Sequence, residues 1–394
     1  MNYTKKPLSF ENTEIAFRHC SNTALNRAYW LFRIININFL VKIGPPITNF
    51  AVKIGLPIKG LIKATIFKHF CGGETIRECE QTIKSLDAGG VGTILDYSIE
   101  GEEDEHVFDQ TRDEIIRTVK RAAKEQAIPI TVFKVTGVAR FALLEKLDAG
   151  TKLTDAEEQE WQKVQDGVSA ICEKGHETGI PVMIDAEETW IQDTIDLLAL
   201  NMMRKFNREK AIIYNTYQLY RSDKLESLKH DHQIAASEGF ILGAKLVRGA
   251  YMEKERKRAE ENGYPSPIQP DKQAADKDYD AALDFCTDHI DNIAFVAGTH
   301  NEDSCRLLTE LLDKKQIDPK NPHVYFSQLL GMSDNLSFNL ADAQYNVAKY
   351  VPYGPVNAVL PYLFRRAQEN TAIAGQMSRE LSLIVKEQKR RRLK

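Results

Sequence analysis

Three stretches in the middle of the chain decide the fold. They read IPVMIDAEE at residues 180–188, AIIYNTYQ at residues 211–218 and GAKLVRGAY at residues 243–251. Each is a short apolar run that is followed at once by polar residues, and longer segments of mixed apolar and charged residues separate them. This alternation predicts buried strands joined by helices.

Further runs of the same kind lie on either side. The eight predicted strands are Gly92–Tyr97, Ile128–Lys134, Ile180–Asp185, Ala211–Asn215, Gly243–Val247, Ile293–Ala297, Val324–Gln328 and Val347–Tyr350. Eight short strands alternating with helices are typical of a (β/α)8 barrel of the TIM type, an α/β fold. A doubly wound sheet is the alternative, but it would use about six strands.

The pattern of apolar and charged residues divides the chain into three regions. Residues 1–85 predict an N-terminal helical region, residues 86–375 the barrel, and residues 376–394 a basic C-terminal tail, of which residues 386–394 are expected to be a frayed helix end. Residues 147–165 lengthen the unit between the second and third strands. Thr154 and Glu157 have capping-box spacing there, so a helix should begin near Asp155, which we interpret as a solvated insertion.

Composition excludes several classes of protein. The 394 residues include 52 Lys+Arg and 56 Asp+Glu, a net charge of −4, which argues against a nucleic-acid binder. Six cysteines without a CxxC pair argue against a disulfide scaffold and a closed zinc site, and we expect no metal. The chain shows neither a secretory signal at its start nor an apolar run of the roughly 18 to 20 residues needed to span a membrane. A reducing cytoplasm is the expected location.

Polar residues follow seven of the eight predicted strands, which is where barrel enzymes carry their chemistry. Each group alone would also fit a helix N-terminus, a solvated lysine or a satisfied buried histidine. Together they predict an active site, because the same groups without a function would leave several buried polar atoms poorly satisfied. The groups begin at Lys134, Asp185, Asn215, Arg248, Gly298, Gln328 and Tyr350.

The chain lacks the glycine-rich phosphate motifs. Neither GxGxxG after a strand nor GxxxxGK[ST] occurs, and the glycines of residues 89–92 precede a strand. Dinucleotide binding of the Rossmann type is therefore not expected. A cofactor bound at the mouth of the barrel remains compatible with the sequence.

Two adjacent arginines, Arg365 and Arg366, end the apolar segment 356–364. Guanidinium groups are costly to bury unless an anion meets them, and their planar geometry suits a carboxylate. Glu369 lies four and three residues further along the helix, where it can hold the pair in place. A surface network of these three side chains is the other interpretation.

Seven motifs in this order resemble the proline dehydrogenase family. They are DAEE at 185–188, NTYQ at 215–218, KLVRGAYMEKER at 245–256, GTHN at 298–301, QLLGMSD at 328–334, YVPYGPV at 350–356 and RRAQEN at 365–370. The forms NTYQ and KLVRGAY are similar to those of single-function, mitochondrial-type members. The resemblance covers residues 86–375 and implies a distorted (β/α)8 barrel with non-covalent FAD. It also implies oxidation of L-proline to Δ1-pyrroline-5-carboxylate by hydride transfer to flavin N5, with electrons passed to a membrane quinone.

The resemblance also assigns roles to residues. The catalytic positions are Asp185 and Lys245, with Lys245 near flavin N5, where some members have Arg. The proline carboxylate and ring would be bound by Lys134, Tyr251, Leu329, Tyr350, Tyr362, Arg365 and Arg366. The flavin-binding positions are Ala186, Asn215, Lys245, Arg248, Gly249, Ala250, Thr299, His300 and Glu369. Asn215 stands where some members have Gln, facing the edge of the isoalloxazine ring.

A quinone acceptor suggests a membrane contact. Residues 39–66 mix apolar residues with lysines, as an interfacial helix does, and the tail at 389–394 is basic. These features predict a cytoplasmic protein that is peripheral on the inner face of the membrane. The alternative is that the N-terminal helices only pack on the barrel.

Two other functions are compatible with a barrel. In the first, Lys134 or Lys245 forms a Schiff base in an aldolase-like enzyme without flavin. In the second, the barrel is a non-catalytic scaffold.

Overall fold

The eight predicted strands close into a parallel barrel in which each strand neighbours the next in sequence and β8 pairs with β1. This arrangement confirms the (β/α)8 fold. The computed structural model describes residues 8–35, 58–99, 105–372 and 374–393. The strands are β1 (Gly92–Tyr97), β2 (Ile130–Lys134), β3 (Val182–Asp185), β4 (Ile213–Gln218), β5 (Leu242–Val247), β6 (Ile293–Gly298), β7 (Val324–Leu329) and β8 (Val347–Tyr353).

Four strands extend beyond their predicted ends, β6 and β7 by one residue and β4 and β8 by three. β4 continues to Gln218 and β8 to Tyr353, so Asn215 and Tyr350 lie inside strands and not after them. Pro352 is opposite Asp96 in the β1–β8 register. Because proline has no N–H to donate to a sheet, a sequence-based prediction tends to end a strand before it.

The barrel helices alternate with the strands. They are α6 (Glu105–Ala122), α7 (Phe141–Asp148), α8 (Asp155–Thr178), α9 (Thr189–Phe206), α10 (Lys224–Glu238), α11 (Met252–Asn262), α12 (Lys272–Asp288), α13 (Glu302–Lys314), α14 (Asp334–Asp342) and α15 (Val356–Ala372). The N-terminal region contains α1 (Thr13–Ala16), α2 (Asn22–Ile35), α3 (Lys59–Ile62), a π-helical turn (Lys63–Phe67), α4 (Lys68–Phe70) and α5 (Glu80–Asp87). The last helix is α16 (Ala374–Arg390). No helix within the described ranges combines the length and the apolar character needed to cross a membrane.

The solvated character predicted for residues 147–165 agrees with the structure, since Val164 is the only buried residue in that range. The segment is not a separate insertion. The capping box of Thr154 and Glu157 is confirmed, but it begins α8, the 24-residue helix that leads into β3. Val164, Val168 and Ile171 of α8 are buried. The charged first turns of α8 conceal this apolar face in the sequence.

The C-terminal end is also more ordered than predicted. Leu383 and Ile384 of α16 are buried in an apolar cluster with Phe17 and Phe32. Arg391 donates to the carbonyl oxygens of Phe17 and Cys20 at 2.6 and 2.7 Å. The prediction of a frayed helix end is therefore wrong, because these basic residues satisfy backbone acceptors.

The chain divides into two compact units. The first unit comprises Met1–Ser98 and Gln328–Lys394, and the second comprises Ile99–Ser327. The core of the first unit includes Phe67, Phe70, Val359 and Leu363. The regions 1–85, 86–375 and 376–394 are drawn from the pattern of apolar and charged residues along the chain, and their boundaries stay predictions.

Gly243 in β5 offers a test of the barrel packing. A Cβ atom at this position would stand 2.1 Å from the carbonyl oxygen of Ile213 in β4. Because this neighbour is backbone, it cannot turn away as a side chain would. We expect Gly243→Ala to lower the free energy of unfolding by at least about 2 kcal/mol, measured by urea denaturation.

Gly60→Ala is the matched control, since a Cβ there meets nothing within 4 Å. Gly60 lies in α3, where alanine should raise stability slightly, by about 0.5 kcal/mol. Equal effects of the two substitutions would contradict the close approach of β4 and β5.

Candidate active site

A buried carboxylate joins two ammonium groups at the carboxyl ends of three strands of the second unit. Lys134 ends β2, Asp185 ends β3, and their Cα positions are register partners. Lys134 Nζ lies 3.1 Å from Asp185 Oδ2, and Lys245 Nζ of β5 lies 2.5 Å from Asp185 Oδ1. Each carboxylate oxygen therefore accepts from a different lysine. The structure brings these three predicted residues together.

The electrostatics of this cluster favour the ionised carboxylate. Asp185 and Lys245 are each only 7% exposed, and burial by itself would raise the pKa of Asp185. The charges and hydrogen bonds of Lys245 and Lys134 outweigh burial and lower the pKa of Asp185 to about 2. At neutral pH the cluster therefore consists of one carboxylate and two lysines that donate to it.

Glu187 connects the segments that follow β2, β3 and β4. Its carboxylate accepts from the backbone N–H of Thr136 at 3.0 Å and from the Thr136 hydroxyl at 2.5 Å. Its own N–H donates to Gln192 Oε1 at 2.6 Å, and its carbonyl oxygen accepts from Gln218 Nε2 at 2.9 Å. The pair Thr136–Glu187 stands two residues beyond the pair Lys134–Asp185, so the carboxylate continues the β2–β3 ladder past its last strand residues.

Glu187 is a functional candidate that the sequence reasoning did not single out. Burial raises its pKa to about 7, although the two hydrogen bonds from Thr136 act in the opposite direction. The signal in the sequence was the two-residue spacing between Asp185 and Glu187, which places both side chains on one face of an extended segment.

A second polar group lies after β5 and β6. Arg248 donates to Asp276 Oδ1 at 2.6 Å, to Thr299 Oγ1 at 2.9 Å and to Ser304 Oγ at 2.9 Å. The predicted flavin-binding residues Arg248 and Thr299 are thus in direct contact. Gly249 has φ +140°, and a Cβ there would stand within 2.6 Å of the Tyr220 ring, so only glycine fits.

The structure gives no support to the predicted place of Asn215 at the edge of a flavin. Asn215 Nδ2 donates to Asp196 Oδ1 of α9 at 3.0 Å, so its amide faces the helix layer. Side chains alternate along a strand, so Gln218, three residues later, faces the opposite way. Gln218 Oε1 is buried and has no hydrogen-bond partner in the described part of the chain. It is the better amide candidate at this strand end, and it was overlooked because β4 was predicted too short.

The first unit holds the other predicted substrate residues. Tyr350 lies in β8, whereas Tyr362 and Arg366 lie in α15, and all three are buried. The guanidinium carbon of Arg366 is 5.3 Å from the centre of the Tyr362 ring, a cation–π geometry. Leu329 packs against the apolar cluster that contains Tyr362. Arg365 is half-buried beside Arg366.

The remaining predicted residues are placed as follows. Ala186, Tyr251 and His300 are half-buried after β3, β5 and β6, and Ala250 is exposed. The side chain of Glu369 lies outside the described part of the chain. These roles, like all of the residue roles above, stay predictions.

One cluster resembles a metal site in composition. Among the residues that the structure describes, His19, Cys20 and Asp334 bring potential ligand atoms within 4.8 Å of one another. Asp334 Oδ1 also lies 2.9 Å from the ammonium of Lys349. A resident lysine cation opposes a second cation at this carboxylate, and the expectation of no metal stays a prediction.

These features define a class: a (β/α)8-barrel enzyme with a buried charged cluster at the carboxyl ends of its strands. The family model "Proline dehydrogenase" matches residues 79–379. The chain therefore belongs to the proline dehydrogenase family.

Relatives and solved structures agree with this family. The chain is 36% identical to "Proline dehydrogenase 1, mitochondrial" of Dictyostelium discoideum, over 92% of this chain and 72% of that protein. It is 33% identical to "Carbapenem antibiotics biosynthesis protein CarD" of Pectobacterium carotovorum, over 84% of this chain and 86% of that protein. A solved structure of proline utilization A from Bdellovibrio bacteriovorus, inactivated by N-propargylglycine, superposes with a TM-score of 0.72 at 18% identity.

The extent of these matches differs. The superposition covers 93% of this chain but only 40% of the solved one, so the chain spans about two fifths of that larger protein. At 18% identity the superposition supports the fold alone.

The raised pKa of Glu187 leads to a prediction about stability. The ordinary value is 4.5 and the folded value is about 7, so this group's contribution to stability is present below pH 4.5 and lost as the pH rises through about 7. Glutamine does not titrate. The free energy of unfolding of wild type, relative to Glu187→Gln, should therefore fall by about 2 kcal/mol between pH 5 and pH 8, measured by urea denaturation.

Glu188→Gln is the matched control, because Glu188 is the neighbouring buried carboxylate and pairs with Lys254. If the unfolding free energy of wild type falls by the same amount relative to Glu188→Gln as relative to Glu187→Gln, the effect does not come from Glu187.

Proposed function

We propose that this chain oxidises L-proline to Δ1-pyrroline-5-carboxylate, with non-covalent FAD as the hydride acceptor. The observation that carries the proposal is the buried cluster of Lys134, Asp185 and Lys245 in a member of the proline dehydrogenase family. The family supports proline oxidation, and the cofactor, the hydride transfer and the electron acceptor are parts of the proposal.

The substrate is proposed to bind through its carboxylate and its ring. Arg365 and Arg366 are adjacent guanidinium groups whose planar geometry suits a bound carboxylate, and Arg366 is buried. The ring would contact Leu329, Tyr350 and Tyr362, which supply an apolar and aromatic surface. Fixing both ends of a small substrate orients the carbon that loses hydride.

The residues present fit a flavin. Gln218 Oε1 is a buried acceptor that has no hydrogen-bond partner in the described residues. An N–H group of a bound flavin ring would supply the missing donor. Lys245 and Arg248 supply positive charge for an electron-rich ring. When bound, FAD would supply the hydride acceptor for the oxidation of the C–N bond.

In this proposal Asp185 holds the lysines in place. A carboxylate with a pKa of about 2 is a weak proton acceptor near neutral pH. It fixes two ammonium groups from β2 and β5 within about one hydrogen-bond length, and so keeps positive charge at the strand ends.

The same contacts disfavour the aldolase-like alternative. A Schiff-base lysine must become a neutral amine to attack a carbonyl carbon. Lys134 and Lys245 both donate to Asp185, so either lysine would have to give up this hydrogen bond to attack a carbonyl carbon. The scaffold alternative predicts that the protein binds no flavin.

A membrane quinone as acceptor and a cytoplasmic, peripheral location complete the proposal. Residues 39–57 of the predicted interfacial segment lie outside the described residues. Trp30 and Ile34 of α2 and Leu61 of α3 are each more than half exposed, which supports contact with an apolar partner. Electron transfer from proline to a short-chain quinone in a vesicle assay tests this part.

The decisive experiment is a visible spectrum of the purified protein before and after anaerobic L-proline. A flavin band that bleaches on addition of L-proline supports cofactor, substrate and direction of electron flow together. A band that persists rejects proline as the donor. No band after addition of FAD rejects the flavoenzyme and returns the aldolase-like and scaffold functions.

The arginine pair leads to a prediction about affinity. We expect Arg365→Met and Arg366→Met each to raise KM for L-proline by about one to two decades, because a charge-assisted hydrogen bond contributes about 1.5 to 3 kcal/mol. Flavin absorbance should remain, since these residues are assigned to substrate. Steady-state kinetics with an artificial acceptor measures this effect.

Arg379→Met is the control, because Arg379 pairs with Glu11 and has no assigned role in binding. An unchanged KM in both variants of the pair would contradict the carboxylate site.

A further inference from the structure

Three side chains from three separate elements bind the backbone of one short loop. This loop, named the β7 loop here, comprises Leu329–Ser333 and links β7 to α14. The side chains belong to Lys349 of β8, His69 of α4 and Glu380 of α16, all in the first unit. None of the three has a role in the proposed chemistry.

Of the three side chains, Lys349 makes the most hydrogen bonds to the β7 loop. It is fully buried, and its ammonium donates to the carbonyl oxygens of Leu329 at 3.2 Å and Met332 at 2.6 Å. It also lies 2.9 Å from Asp334 Oδ1. An ammonium has three donors, and all three are satisfied between residues 329 and 334. Burying a lysine completely is expensive, so the loop conformation that compensates this charge is strongly specified.

His69 and Glu380 hold the middle and the end of the loop. His69 Nε2 lies 2.9 Å from the carbonyl oxygen of Gly331, which has φ +76°. Glu380 Oε1 accepts from the N–H of Ser333 at 2.5 Å, and Ser333 is in the left-handed region with φ 52°. A serine in that conformation is uncommon, so its hydrogen bond to Glu380 stabilises an unfavourable backbone.

The β7 loop also carries the candidate ring contact. Leu329 packs with Met332 and Tyr362 in one apolar cluster. Leu330 N donates to the carbonyl oxygen of Tyr350 at 2.8 Å. Movement of this loop would therefore move Leu329 relative to both tyrosines assigned to the substrate ring.

We propose that Lys349 and Glu380 are positioning residues that fix the β7 loop and thereby limit the size of the ring that the enzyme accepts. The inference rests on the proposed function. It assigns a role to the last helix, because Glu380 connects α16 to Ser333 at the end of the β7 loop.

The test compares two cyclic amino acids, L-proline and L-pipecolate, which has one more ring carbon. The variants are Glu380→Ala and Lys349→Met. We expect KM for L-proline to rise about tenfold with kcat changed less than about threefold, because a binding surface is displaced and the reacting groups are retained. The ratio of kcat/KM for L-pipecolate to that for L-proline should rise at least about threefold, since a looser wall rejects the added methylene less strongly.

Glu387→Ala is the matched control. Glu387 is a buried carboxylate two turns along the same helix, but it binds Arg390 and Arg391 instead of the loop. It should lower the melting temperature without changing the substrate ratio. If Lys349→Met does not fold, Glu380→Ala decides.

The outcomes separate the two proposals. If wild-type flavin is not bleached by L-proline, the proposed function fails and this inference fails with it. If wild type oxidises L-proline but Glu380→Ala leaves KM and the substrate ratio at the values of Glu387→Ala, only the positioning role is overturned.

Discussion

A buried charge is tolerable only when its partners are already in place, and this constraint organises the candidate site. Asp185 is almost completely buried, and it accepts from Lys134 on one side and Lys245 on the other. Removing either lysine would leave a buried carboxylate less compensated. The three strands that supply these residues must therefore end in register, which the parallel pairing of β2 with β3, of β3 with β4 and of β4 with β5 provides.

The same constraint recurs in the first unit with another solution. Lys349 is buried without any exposure, and its charge is compensated chiefly by backbone carbonyl groups of the β7 loop. Asp334, which is half-buried, completes the set, and the charge of Lys349 helps to lower the pKa of Asp334. In the second unit the buried charge of Asp185 fixes two lysine side chains, whereas in the first unit the buried charge of Lys349 fixes the backbone of the β7 loop.

Hydrogen bonds extend the order of the barrel beyond its strands. Glu187 binds Thr136 where the β2–β3 ladder has ended, and Gln218 reaches the carbonyl oxygen of Glu187. Segments after strands are usually the variable part of a barrel, because they carry no ladder of their own. Here buried side chains replace that ladder, so the polar residues after β2, β3 and β4 form one connected set.

The sequence by itself determined the barrel, the order of its strands and the family. Alternating short apolar runs and amphipathic helices are local patterns, and motifs such as DAEE and RRAQEN are read directly from the chain. The proximity of Lys134, Asp185 and Lys245 could also be predicted from the sequence, because the carboxyl ends of barrel strands lie at one end of the barrel. Only the tertiary structure decided that Asn215 faces Asp196, that the later turns of α8 carry a buried face, and that α16 packs into a core. The physical reason is that these outcomes depend on side-chain alternation over the full strand length, and on partners outside the local sequence, 19 residues away for Asn215 and 374 residues away for Arg391. No local pattern records the distance from Glu380 to Ser333 or from Lys349 to Leu329.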